Sequence, residues 1–297
     1  MARVPASLAF LVACAAVGTY AAMDVFMKAL SIDAGAYSAV LWRSWVGVAM
    51  AGTVFLARGA RWPKREALRL HLLRGLTAGT SVLFFFWGLA RIPMAKGVAL
   101  TFLAPLIAIF LAAAMLGERV RRAAVWGSLL AGAGVLVIAW GEFDARASTD
   151  SVLGALSVFG ASILYAVSLI YLRQQAQAAD PIEVTLFTGL VMGGMLLPGA
   201  PFVSGPPTWE QAPLVLAAAV LGTVSSVAFA WAYSRAEAQV LAPVEYTAFV
   251  WAAIFGRLAF GEVVTAYTLA GTLLIVLGCV YAVRRVSGLA AQSEAGV

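Results

Sequence analysis

The chain has 297 residues, of which 63% are hydrophobic and only 11% charged, and its mean hydropathy is +0.93. A soluble domain of this size cannot hide so much apolar surface, so lipid must be the solvent for most of it. The net charge of +6 does not point to nucleic acid, because the charges lie between apolar stretches and not on one basic face.

Ten apolar spans follow one another, each of about 20 residues and so long enough at ~1.5 Å per residue to cross a hydrocarbon core of ~30 Å. They fall near 6–28, 36–57, 71–90, 95–116, 122–140, 151–172, 182–201, 212–233, 238–260 and 264–283. The first is expected to be a retained helix and not a cleaved signal, since Asp24 and Lys28 are followed by further spans. Cys14 and Cys279 both lie within spans and offer neither a disulfide framework nor metal-ligand spacing.

The connections carry Lys and Arg unevenly. Fourteen fall on one side, among them Arg58, Arg61, Lys64, Arg65, Arg69 and Arg74 between spans 2 and 3, and Arg119, Arg121 and Arg122 between spans 4 and 5. Four fall on the other, namely Lys28, Arg91, Lys96 and Arg146. The positive-inside rule then places both termini in the cytoplasm.

The chain also repeats itself. Leu89–Val120 returns 144 residues later as Tyr233–Val264, with no gap. In that register Ser81, Phe85, Trp87, Arg91, Gly117, Glu118, Gly127 and Gly134 fall on Ser225, Phe229, Trp231, Arg235, Gly261, Glu262, Gly271 and Gly278. Two copies of one membrane unit are therefore expected, residues 1–145 and 146–286, with 287–297 as a disordered cytoplasmic tail. Five spans per copy is an odd number, so the second copy enters the membrane inverted. The basic exit Gly117–Arg122 agrees, because its counterpart Gly261–Ala266 has no Lys or Arg. The predicted fold class is all-α integral membrane, ten helices in two inverted five-helix repeats.

These repeat-matched stretches, each closing on Gly-Glu, resemble the EamA branch of the drug/metabolite transporter superfamily over nearly the whole chain. The resemblance implies a secondary transporter of the bacterial inner membrane. It also leads one to expect an Arg in the second span, here Arg43 in Ala39-Val-Leu-Trp-Arg43. Leu241-Ala-Pro-Val-Glu-Tyr246 resembles the family's Glu-Pro element, although here the proline precedes the acid by two residues. Leu73-Arg-Gly75 is similar to the same stretch of metabolite carriers, S-adenosylmethionine uptake proteins among them.

Ionisable groups inside spans are expensive and are the default functional candidates. Asp24, Arg43, Glu245 and Arg257 qualify. Asp24 and Arg43 lie at similar depth, either as a site element or as an ion pair that fixes helix 1 against helix 2. Glu245 follows Pro243, whose missing N–H leaves a carbonyl free, and has Tyr246 beside it; Thr101 takes its place in the first copy. A lone carboxylate there suits binding of a cationic amine or coupling to a proton. Arg257 is close enough to a helix end to snorkel, and Glu118 and Glu262 are expected to cap helix ends. Pro105 predicts a kink in span 4.

Tyr20, Phe84, Tyr165 and Phe229 fall near mid-span, where they line a site for a planar or amphipathic substrate or else contact lipid and core. Ser81, Ser225 and Ser226 offer hydroxyls there, or bind helices together. Trp87 and Trp231 suit an interfacial belt. Glycines 127, 132, 134, 271 and 278 permit close helix approach, either within the monomer or as a homodimer face through helices 5 and 10.

No enzyme is indicated: His71 is the sole histidine, and no metal spacing or phosphate loop accompanies it. No filter motif suggests a channel. No cofactor is expected, and the partners are the lipid bilayer and a small-molecule substrate. Asp24, Arg43 and Glu245 offer both signs of charge, which suits a zwitterion such as an amino acid or a related metabolite. Broad drug or metabolite export, vitamin or nucleoside carriage and a carboxylate-only membrane enzyme are the alternatives.

Overall fold

A computed structural model describes residues 6–59, 62–116, 122–144, 148–233, 244 and 247–294. Every regular element among them is helical: α1 (Ala6–Asp33), α2 (Ala36–Ala57), α3 (Arg65–Leu89), α4 (Met94–Thr101), α5 (Ala104–Leu116), α6 (Arg122–Asp144), α7 (Thr149–Ala178), α8 (Pro181–Leu196), α9 (Ala200–Val203), α10 (Gln211–Tyr233), α11 (Thr247–Phe260) and α12 (Ala266–Glu294). A 3₁₀ turn at Leu197–Gly199 joins α8 to α9.

Six helical stretches are long and apolar enough to cross a membrane: Leu11–Asp33, α2, α3, Thr149–Leu172, Pro181–Val203 and Gln211–Ala232. Four shorter apolar helices accompany them, at Met94–Ala108, Val125–Ile138, Thr247–Phe260 and Ala266–Gly278. The outer surface suits lipid, with Leu56, Leu136 and Leu258 each more than two-thirds exposed. This is a multi-pass membrane protein.

Local chemistry sets several helix ends. Ser148 caps α7 by accepting from Ser151 N–H at 3.2 Å, and Asp180 caps α8 by accepting from Ile182 N–H at 2.9 Å, with Pro181 in the first turn. Span 4 is broken, not merely kinked. Pro105 brings no N–H to Thr101 O, and α4 ends there through tight bonds from Phe102 to Ala99 O and from Leu103 to Leu100 O. After α11, Gly261 takes φ 67° and turns the chain back, so that the 261 and 262 amides return to the carbonyls of Arg257 and Gly256.

Helix α12 is described to Glu294 and so extends past the expected last span. One expectation is corrected here. Helix α3 begins at Arg65, six residues before the expected span, so Arg74 lies well inside a helix and not in a connecting loop.

Packing is reciprocal between the two halves. Helix α3 lies along α7, α1 along α10, α2 along α8, and α6 along α12. Ser81 Oγ donates to Ala161 O at 2.7 Å across α3–α7, and Ser225 Oγ donates to Ala16 O at 3.1 Å across α10–α1. Glycines carry the α6–α12 contact: Gly134 faces the backbone oxygen of Gly271, and Gly278 faces that of Gly127. Gly127, Gly134, Gly271 and Gly278 are thus in contact within the chain.

Candidate functional site

Helices from both halves enclose a cavity of about 360 Å³, within the usual range for small-molecule sites. Helices α1, α2, α3, α4, α7, α8, α10 and α11 all contribute to its wall. Tyr20 and Tyr165 line it, as do Phe85 and Phe229. Tyr20 OH shares a 2.7 Å hydrogen bond with Ser226 Oγ, and its ring stands edge-on to Phe229 at 6.0 Å. Thr101 lines the wall where α4 breaks, its hydroxyl donating to Val98 O at 2.7 Å.

Among the described residues three charged side chains line this cavity: Asp24, Arg43 and Arg74. The expected Asp24–Arg43 ion pair is not formed. Among the described residues the ion pairs are Lys28–Glu262 and Arg91–Asp150, and His71 meets Glu183 through a hydrogen bond. Arg43 instead directs Nη1 to Met23 Sδ at 3.1 Å and Nη2 to Met192 Sδ at 3.5 Å. Thioether sulfur is a weak acceptor, and among the described residues no carboxylate pairs with the guanidinium.

Arg74 is the cavity-lining charge that sequence reasoning missed, because it was grouped with the loop charges. Its Nη1 donates to Gln175 Oε1 at 2.8 Å and to Thr188 Oγ1 at 2.9 Å. Because arginine only donates, Gln175 must present its oxygen to Arg74 and its NH₂ to His71 Nδ1. His71 then holds its proton on Nε2, which donates to Glu183 Oε1 at 3.0 Å. His71 is 1% exposed, is stacked on Phe187 at 4.9 Å, and serves this chain of bonds and no catalytic centre.

Other expected site residues fall elsewhere. Phe84 is 42% exposed on the outer face of α3, over Gly160, and its neighbour Phe85 faces the cavity instead. Ser225 is fully buried against α1, and Ser226 takes the cavity position. Glu245 and Tyr246 lie outside the described residues, as do Glu118 and Pro243. Glu262 does cap a helix end, but that of another helix. Its Oε2 accepts from Met94 N–H at the start of α4 at 2.7 Å, while Oε1 pairs with buried Lys28, which also donates to Ile92 O at 2.7 Å. Arg257 is exposed at the end of α11 and donates to Gly261 O at 3.3 Å.

Residues 7–140 and 152–284 each match the EamA-like transporter family. The chain belongs to the EamA-like transporter family. The two EamA matches begin 145 residues apart and end 144 apart (152 − 7 and 284 − 140), as the reciprocal serine bonds also require. In that register Tyr20 matches Tyr165 and Phe85 matches Phe229. The charges have no such matches, since Asp24, Arg43 and Arg74 fall on Leu169, Thr188 and Ala218. Similar proteins include a pseudopaline exporter of Pseudomonas aeruginosa, 29% identical over 88% of this chain and 91% of that one. A riboflavin transporter of Vibrio cholerae is 25% identical over 73% and 74%, and an uncharacterized transporter of Helicobacter pylori 27% over 65% and 66%. A crystal structure that covers 92% of this chain and 97% of its own has a TM-score of 0.63 at 21% identity, and so shares the fold.

Proposed function

We propose that this EamA-family protein is a secondary transporter that moves a small zwitterionic, amino-acid-like metabolite across the bacterial inner membrane by alternating access. The observation that carries this reading is the cavity itself. It holds a carboxylate, Asp24, and two guanidiniums, Arg43 and Arg74, that are not paired with one another, within a wall of aromatic side chains. Asp24 is placed to take an ammonium group, and Arg43 to take a carboxylate.

The two halves, residues 1–145 and 146–286, act in this reading as inverted five-helix repeats with both termini cytoplasmic. Reciprocal packing of α3 on α7 and of α1 on α10 supports it, because a two-fold relation exchanges these pairs. The aromatic frame obeys the repeat and the charges break it. Access can thus alternate around a symmetric wall while one set of charges keeps hold of the cargo.

Glu245 enters the reading on sequence grounds, as the acid that couples movement to a proton gradient. E245Q in vesicles should lose accumulation driven by a pH gradient and keep counterflow exchange; undiminished gradient-driven accumulation would remove it from that role.

The names of the similar transporters support a small organic cargo without selecting one. A thermal-shift screen of purified protein against amino acids, S-adenosylmethionine, nucleosides, riboflavin and amphipathic cations tests the class. A ligand at about 100 times its Kd stabilises the native state by about 2.7 kcal/mol. Amino-acid-like zwitterions should raise the midpoint. Stabilisation confined to riboflavin, nucleosides or cations would replace this reading with vitamin carriage, nucleoside carriage or broad export.

A further inference from the structure

Among the described residues the charges of the cavity do not balance for a simple zwitterion. A backbone ammonium and a backbone carboxylate account for Asp24 and Arg43, which leaves Arg74. We propose that Arg74 reads a second carboxylate, so that the preferred cargo is an amino acid derivative bearing an acid group on its side chain. This deepens the zwitterion reading above and rests on it.

The geometry of Arg74 supports the assignment. Both hydrogen bonds recorded for its guanidinium leave from Nη1, to Gln175 and Thr188. Its Nε is buried and has no partner among the described residues, so the edge formed by Nε and Nη2 is uncommitted. That edge is the one that receives a carboxylate side-on through two parallel bonds. A guanidinium buried between membrane helices with only neutral oxygens beside it is costly, and an anion offsets the cost. Nor is Arg74 loosely held. The chain Arg74–Gln175–His71–Glu183 runs in one donor direction, and its middle members are 0% and 1% exposed. Such an anchor fixes where the free edge points.

The position of Arg74 in the cavity agrees. It comes from α3, whereas Asp24 and Arg43 come from α1 and α2, and all three line one cavity with Phe85 and Tyr165. A cargo that engages all three groups carries a second acid besides its backbone carboxylate.

Pairs of near-isosteric probes separate charge from shape: L-glutamine against L-glutamate, and L-phenylalanine against 4-carboxy-L-phenylalanine. Binding is measured by thermal shift and by titration on the purified full chain. In the native protein the acid-bearing member of a pair is expected to bind at least about tenfold tighter. In R74Q the two members should fall within about twofold of each other. R74K, which keeps the charge without the fork, should retain part of the preference and serves if R74Q is not recovered folded. Equal binding of both members to the native protein, or a preference undiminished in either variant, overturns the role of Arg74 and leaves the zwitterion reading standing. Binding of neither member of either pair overturns both.

Discussion

Asp24 and Arg43 face one cavity from neighbouring helices without touching, and that arrangement changes what their substitution should do. In a closed buried pair, removing one partner strands the other at a cost of about 3–5 kcal/mol. Here each stands without an opposite charge in contact among the described residues. D24N and R43Q should therefore unfold at temperatures close to the native protein's while losing amino-acid binding by about tenfold or more. The double substitution should bind no better than either single one. Thermal unfolding with and without ligand checks this, and a stability loss in the singles that the double recovers would restore the structural ion pair. At this scale the sequence revealed depth but not direction. Tyr20, Tyr165 and Phe229 are legible as mid-span aromatics, whereas the sequence points to Phe84 and not Phe85 and does not separate Ser225 from Ser226. One residue turns a helix by about 100°, and a helix with lipid on one side and protein on the other is apolar on both. The signal that could have decided was present, since Phe85 is the residue the repeat matches to Phe229.

Among the elements, the break between α4 and α5 and the turn after α11 are the informative ones. Pro105 ends the backbone ladder of α4 at the cavity wall, and the sequence showed that disturbance plainly. The partner of Glu262 was not legible. Gly261 turns the chain, and the carboxylate that follows reaches back to the first amide of α4 and to Lys28 of α1. Lys28 had been counted as a loop charge, yet it is 4% exposed. Charge counts assign a residue to a side of the membrane, and they do not say whether it stays in the loop. This contact binds three helices, with Lys28 also over the Phe260 ring at 5.1 Å. Breaking it should cost about 3–5 kcal/mol. K28M should lower the unfolding midpoint more than E262Q does, because the side-chain amide oxygen introduced by E262Q can still accept from Met94 N–H. The pair K28M/E262M should be less damaged than the sum of its parts, and strict additivity in a double-mutant cycle would argue against direct coupling.

For the molecule as a whole, composition, span lengths and the internal repeat made the helical membrane class and the family readable. Helix partners were not readable, because a period of small residues marks a packing face without naming what packs on it. Gly134 and Gly271 meet inside the chain, the packing within one copy that the sequence reading favours over a dimer face. The proposed inversion has a direct consequence for labelling. Cysteines at Ser148 and Thr208 should react from outside intact cells, and one at Pro63 only after permeabilisation. Reaction of all three from one side would refute opposite orientations for the two halves.

The central claim is that the cavity carries a zwitterion from one face of the membrane to the other. Counterflow in vesicles measures this most directly, with unlabelled L-glutamate inside and labelled L-glutamate outside. The native protein should take label up well above empty vesicles, with transient overshoot, and R43Q should fall to the empty-vesicle level. No exchange of glutamate or of any other amino acid by the native protein, or full exchange by R43Q, would contradict the account.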